Sequence, residues 1–389
     1  MEWILLYVSF VLIGMVTTLL GPILPSFIRH WSLTDAQAGL FFTAQQYGSL
    51  FGVALTSLLL PRFGFAKVCA SGFLAFAAAF AFLGAGPWMV AAAMIGISGF
   101  GYGLANPSIN LRATQLPSKN TAAAVNFLNS FWSTGAVLCP FLVSLVVPTR
   151  GFRVLSLGIA AVSLLLVVLH LTLRSAQPFV RTARVTHPLS EWLARLSLPQ
   201  AVPLLLVFFL YVGVEVALGG WVATVEKRLP GMSVTTFLLA PSIFYGFLML
   251  GRAVVSLALH HVSHVFISIG GLLLATLGAT LITLSNSAGV LYLGAGIAGL
   301  GLAPQYPIYI TWLAVIFGED SSWIGAPFFG AAGLGGGTLA GLVGIVSRAT
   351  NSLRAGLCVP LTVCFLMIFL VMRARPSTRP AGQEGLEPI

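Results

Sequence analysis

The sequence predicts an all-α integral membrane protein, with twelve transmembrane helices in two six-helix bundles. Three observations carry that expectation. Of the 389 residues, 58% are hydrophobic and only 7% are charged, whereas soluble domains carry about 25% charge, so lipid is the solvent for most of the chain. Twelve apolar stretches are each long enough to cross a bilayer core, which takes about 20 residues. An unusual phrase also occurs twice, half a chain length apart: GYGLANPSIN at 101–110 and GLGLAPQYPI at 299–308.

The stretches run in order 4–28, 37–60, 66–85, 88–111, 121–147 and 152–173, then 201–225, 234–258, 264–284, 288–316, 322–346 and 353–373. The first opens MEWILLYVSF, with no basic segment ahead of its apolar run and no evident cleavage site, so it reads as a retained helix and not a signal peptide. Short punctuated turns separate the rest. The exception is RSAQPFVRTARVTHPLSEWLARLSLPQ, 174–200, which is polar, basic and proline-bearing and cannot span. The expected organisation is therefore an N-terminal bundle, 1–173, a cytoplasmic central loop, 174–200, a C-terminal bundle, 201–373, and a cytoplasmic tail, 374–389. The two repeated phrases fall in the fourth span of each half, as a parallel duplication requires.

With the N-terminus cytoplasmic, twelve of the 19 Lys and Arg lie on the inner side. That bias predicts both termini inside, and a bacterial inner membrane is the expected location. The net charge of +10 suits an anionic leaflet; no basic patch carries the exposed aromatics of a nucleic-acid binder. Cys69, Cys139, Cys358 and Cys364 all fall in apolar stretches, where buried thiols are expected, not disulfides or a metal site. His260, His261 and His264 sit at a turn and make only a weak metal-like cluster. GAAGLGGGTLAG, 330–341, has no lysine and no preceding strand, so close helix packing is expected there and not a phosphate loop.

Twelve helices, a basic central loop and paired halves resemble the major facilitator superfamily. The loop LLLPRFGFAK, 58–67, is similar to that family's Gly-x-x-x-Asp-Arg-x-Gly-Arg-Arg loop at Arg62, Gly64 and Lys67, with Pro61 at the acidic position; the second half offers only GRAVVS, 251–256. A narrower resemblance is to the fucose–galactose–glucose proton symporters, the fucose permease group, and to sodium-dependent glucose transporter-like proteins. It rests on 101–117, 126–140, 211–222 and 299–310. The resemblance implies a monomer working by alternating access on a small-molecule substrate, a hexose-like sugar, with proton or sodium coupling and no cofactor. The chain departs from the fucose permease group in having no acid in its first helix, GMVTTLLGPILP, and asparagines in its fourth.

Glu215 is the sharpest candidate. It lies in LLLVFFLYVGVEVALGGW, with no other charge from Pro203 to Thr224. An unpaired charge there costs about 2.5–3.5 kcal/mol on insertion scales. It reads as a coupling or substrate-binding group, against the alternative of a structural carboxyl bonded to a neighbouring helix. The other acids ahead of the tail, Glu2, Asp35, Glu191, Glu226, Glu319 and Asp320, fall at helix ends and in loops, where solvation is expected. Asn106 and Asn110 share one helix face with Tyr102, and Asn126, Asn129 and Ser133 form a second stripe. Carboxamides suit sugar hydroxyls but also glue helices together. Gln305, Tyr309 and Trp312 share a face of the tenth span and are expected to line the pocket, with Gln45 on the second span and Trp132 on the fifth. Each repeated phrase is expected to make a hinge, because glycines allow close approach and a downstream proline frees a carbonyl. An exporter of drugs or hydrophobic metabolites is the competing reading, supported by aromatic content and scarce membrane charge. No HExxH or nucleophile-elbow motif suggests an enzyme.

Overall fold

The computed structural model describes residues 2–117, 121–172, 189–232, 237–258 and 262–376. Among them the regular structure is helical. The helices are α1 (Glu2–Thr18), α2 (Leu20–His30), α3 (Asp35–Phe82), α4 (Trp88–Gln115), α5 (Thr121–Thr172), α6 (Leu189–Leu196), α7 (Ala201–Lys227), α8 (Ala240–Ala258), α9 (His264–Leu284), α10 (Ala288–Leu302), α11 (Gln305–Phe317), α12 (Ser321–Thr350) and α13 (Leu353–Ala374).

Two of these helices are too long to be single passes. At 1.5 Å per residue, a 48-residue helix would extend about 70 Å, more than twice a bilayer core. Gly64 in α3 (φ 76°, ψ 169°) and Gly151 in α5 (φ 76°, ψ 162°) leave the helical region, which a glycine does without a Cβ penalty. Both arms of α3 touch one stretch of α4, Gly52 against Gly103 and Gly72 against Gly101, so the chain folds back at Gly64. The α1–α2 pair bends by 43° and α10–α11 breaks at Ala303–Pro304; each pair is one pass. The described residues thus make twelve apolar passes, close to the expected boundaries.

The halves pack alike. An added Cβ on Gly135 would stand 2.1 Å from the Val11 carbonyl oxygen, and one on Gly335 would stand 1.8 Å from that of Phe209. These contacts join the fifth pass to the first and the eleventh to the seventh. Gly99 and Gly299 press likewise on Gln45 and Phe244, and Gly101 and Gly301 on Gly72 and Gly271. The fourth and tenth passes therefore hold equivalent places, each wedged between the second and third helices of its half. The equivalence pairs Gly101 with Gly301. Matching the written GLA triplets would pair Gly103 with Gly301 and is out of register by two.

Three expectations need correction. The helix is interrupted only in the second half, and only by a two-residue turn, Ala303–Pro304, that keeps helical dihedrals. Pro304 and Pro307 together remove two ladder donors there, whereas α4 runs unbroken through Pro107. In α4 the Gly103 carbonyl, which Pro107 leaves without its ladder donor, accepts the Thr56 hydroxyl at 3.0 Å. The acids at helix ends are not all solvated. Glu226 is buried and accepts the Leu239 and Ala240 amides, both at 3.1 Å, capping α8, together with the Tyr292 hydroxyl at 2.8 Å. Glu2 takes Arg112, whose side chain is buried, at 2.7 Å. Of the cysteines, Cys358 is exposed while the others are buried. The central loop is described only from 189, where α6 reaches Asp320 through Arg195. His260, His261 and most of the tail lie outside the described residues.

Gly99→Ala would put a Cβ 1.9 Å from the Gln45 carbonyl oxygen, and is expected to destabilise the protein by about 1–3 kcal/mol. Gly158→Ala meets nothing within 4 Å and is expected to be neutral or slightly stabilising. Melting temperatures in detergent compare the two.

Candidate substrate and coupling site

Tyr211 and Glu215 are four residues apart on α7 and share a face. The Tyr211 hydroxyl donates to Glu215 Oε2. Arg252, on α8, brings one guanidinium nitrogen, Nη2, to that same Oε2 at 3.4 Å and to the Tyr211 hydroxyl at 3.3 Å. The acid expected to stand alone thus has a basic partner in the membrane. Arg252 sits inside α8, facing α7, because an arginine in lipid needs a counter-charge. A signal was present: GRAVVS interrupts an apolar run with a charge, as Glu215 does. The Arg252 and Glu215 side chains are 31% and 16% accessible, so the pair is reachable without being solvated.

Tyrosines surround the pair. Tyr306, at the start of α11, stacks on Tyr211 with centroids 6.0 Å apart and planes at 28°. Tyr245, on α8, lies within electrostatic reach of both Glu215 and Arg252. Its hydroxyl lies only 2.6 Å from where a Cβ on Gly219 would be, so that glycine makes its room. Tyr102, on α4, comes from the other half and lies within electrostatic range of Tyr306 and Glu215. The α10–α11 break presents Tyr306 to this centre; the tyrosine ring went unmarked in the sequence because its members lie on four different helices.

The carboxamides form a ladder on the Tyr102 face. Asn110 Nδ2 approaches Asn106 Oδ1 at 3.4 Å, and Asn129 Nδ2 donates to Asn110 Oδ1 at 3.2 Å. The ladder descends from Tyr102 toward the face that carries the N-terminus. The side chain of Asn126 lies outside what the structure describes. The expected face of the tenth pass does not line an open pocket. Gln305 is buried, accepting from Ser268 and Tyr309 (both 2.7 Å) and donating to the carbonyls of Ser268 (3.0 Å) and Gly301 (3.2 Å). Tyr309 and Trp312 are buried with it. Glycines at 271 and 301 bring α9 and α10 so close that the amide is enclosed. Gln45 donates to the Val16 carbonyl at 3.4 Å, joining α3 to α1, and Trp132 is half-buried, its carbonyl oxygen 2.0 Å from a would-be Cβ on Gly14.

Hydrogen bonds that join the halves, among the described residues, run from mid-membrane to the face opposite the N-terminus. Tyr47 meets Thr338 at 3.1 Å, Thr43 donates to the Gly337 carbonyl at 2.8 Å, and Ser242 donates to that of Val137 at 3.2 Å. At the end of this seam Asp35 receives Arg228 at 2.9 Å and the Ser347 hydroxyl. Glycines at 39, 341 and 344 let the two backbones touch there. The halves are closed on that face, and the ladder points toward the other. A cavity of about 570 Å³ is an apolar groove between α1 and α5, and Glu215 is not among its lining residues.

The family model of the Major Facilitator Superfamily matches residues 6–322. A gallate transporter of Pseudomonas putida is 27% identical over 161 residues, 39% of this chain and 35% of that protein. The chain spans about a third of the length of the curated relatives it matches. Among solved structures, a bacterial homologue of the human lysosomal transporter Spinster, inward-facing and occupied, overlays with a TM-score of 0.76 at 16% identity, covering 96% of this chain and 94% of that one. The nucleoside transporter NupG gives 0.70 at 17%, covering 95% and 96%, and the E. coli fucose:proton symporter FucP gives 0.65 at 17%, covering 97% and 99%. At such identities the likeness is one of fold.

Arg252→Gln leaves Glu215 without its counter-charge and is expected to lower stability by about 2–5 kcal/mol. Adding Glu215→Gln should restore much of that loss. A double-mutant cycle on thermal unfolding measures the coupling; additive effects would mean the two groups do not interact.

Proposed function

The chain belongs to the Major Facilitator Superfamily, and from that premise we propose that it carries a small, hydroxyl-rich, hexose-like solute by alternating access, driven by a proton or sodium gradient acting at Glu215. As a member it is an integral membrane transporter of a solute, not an enzyme. The observation that carries the finer reading is the Glu215–Arg252 pair, held midway along α7 beside a tyrosine of the opposite half. A carboxylate there is stable when paired or protonated, and switching between those conditions is what coupling needs.

In this reading the Asn106–Asn110–Asn129 ladder offers donors and acceptors to hydroxyls, with Asn126 beside it. Gln45, Trp132, Gln305, Tyr309 and Trp312 support the wall from behind, since their bonds and burial hold the helices together in the closed-off geometry described above. The competing exporter reading depended on scarce membrane charge, and an arginine facing a glutamate in the membrane counts against it. The domain division at 174–200, a monomer, an inner-membrane location and cytoplasmic termini belong to the same proposal; the seam through Asp35 and Arg228 is then the external gate, shut.

Glu215→Gln tests it. The amide imitates the neutral carboxyl and cannot cycle. In proteoliposomes, gradient-driven uptake is expected to fall to background while exchange of labelled for unlabelled solute survives. Undiminished uptake under both proton and sodium gradients would remove Glu215 from coupling.

A further inference from the structure

We propose that the solute carries a carboxylate as well as hydroxyls, and that Arg252 receives it by exchanging Glu215 for the solute's acid. The proposal rests on the transporter reading and narrows its substrate class from a neutral hexose to a hydroxylated carboxylic acid.

The first ground is how loosely Arg252 is held. A guanidinium and a carboxylate at full strength meet through two parallel bonds of about 2.7–2.9 Å. Here one nitrogen reaches Glu215 at 3.4 Å and the Tyr211 hydroxyl at 3.3 Å. Arg252 Nε is buried and has no partner. Glu215 Oε2 meanwhile takes its closer bond from Tyr211. Of the five donors of a guanidinium, those engaged are engaged weakly. An unpartnered buried donor costs about 1–3 kcal/mol, and an incoming carboxylate relieves that where a hydroxyl relieves less.

The second ground is charge. The empty site holds one positive and one negative group and is neutral. A solute carboxylate that pairs with Arg252 would leave Glu215 a second anion, so Glu215 must take up a proton. The loaded site, with guanidinium, solute carboxylate and neutral acid, is neutral again. Low surrounding polarity favours both neutral arrangements over any charged one. The other titratable groups facing the pair are Tyr102 of α4, Tyr211 of α7, Tyr245 of α8 and Tyr306 of α11, with Cys139 of α5 near Tyr245. None of these supplies a competing cation or a second carboxylate. Binding of the acid and loading of the proton thereby become one event.

The third ground lies on the opposite face, where the halves meet. A cleft of about 340 Å³ there includes Arg29 and Lys227 with Ser26 and Ser144, and no acid among its lining residues. The neighbouring Glu226 is occupied in capping α8. Arg29 lends this cleft positive charge, and Lys227 adds to it beside the Glu226 carboxylate, which favours an anion over a cation there.

Matched pairs test this: D-glucuronate against D-glucose, D-galacturonate against D-galactose, and 3,4-dihydroxybenzoate against catechol, each titrated into the purified protein with binding read by calorimetry. At least one carboxylate is expected to bind about tenfold or more tightly than its neutral partner. Glu215→Gln should tighten that carboxylate further, because the internal competitor for Arg252 is gone; a merely structural role for Arg252 would not produce this. Arg252→Gln/Glu215→Gln, which stays neutral and so avoids an unpaired charge, should lose the preference. Failure of every carboxylate to bind, equal or better binding of the neutral partners, or a preference that persists in the double variant would overturn the proposal. Counterflow in proteoliposomes separates it from the reading beneath it. Arg252-dependent binding without counterflow leaves carboxylate recognition standing and removes transport. Counterflow of a neutral hexose alone does the reverse.

Discussion

An isolated charge in the middle of a bilayer costs several kcal/mol, and in this chain that constraint binds Glu215 to Arg252. Each side chain is costly there without the other, which favours α7 and α8 facing each other at this depth. The surrounding residues follow from that requirement. Gly219 leaves room for Tyr245, the α10–α11 break delivers Tyr306 onto Tyr211, and Tyr102 arrives from the first half. The pair is bridged by the Tyr211 hydroxyl and not by tight bidentate bonding, so it remains open to exchange.

Around this centre, stability comes from backbone contact. In lipid the helices gain little from burying apolar side chains, and close approach through small residues takes over. Glycines placed 200 residues apart make the same contacts in each half: Gly99 and Gly299, Gly101 and Gly301, Gly135 and Gly335. The duplication is therefore written in packing positions more faithfully than in recognisable words. Across the halves the contacts are fewer and lie toward one face, ending at Asp35, Arg228 and Ser347. Such a seam can part without disturbing either half.

Much of the fold was legible because lipid imposes a simple rule of about 20 apolar residues per pass. The bends were less so. The same glycine–proline phrase runs unbroken in α4 and breaks before α11, since the Thr56 hydroxyl takes the Gly103 carbonyl that Pro107 leaves without its donor and a second proline undermines the other ladder. Of the site, Glu215 is legible by its isolation in an apolar run, and Arg252 by the same criterion. The burial of Gln305 was not legible: helical spacing says which residues share a face, and only the glycine-driven approach of α9 decides what that face meets. Glu226 was hidden for a similar reason, its role set by where the chain returns to begin α8 against it.

The central claim is that the solute reaches Glu215 and Arg252 from one face at a time, with the Asp35–Arg228 seam closed in the state described. Cross-linking Asp35→Cys to Arg228→Cys, in a chain whose exposed Cys358 is replaced by serine, tests it most directly. The account predicts that the cross-linked protein still binds solute added from the N-terminal face, stops transporting, and recovers transport when the link is reduced. Transport that continues at an unchanged rate with the link in place would contradict it.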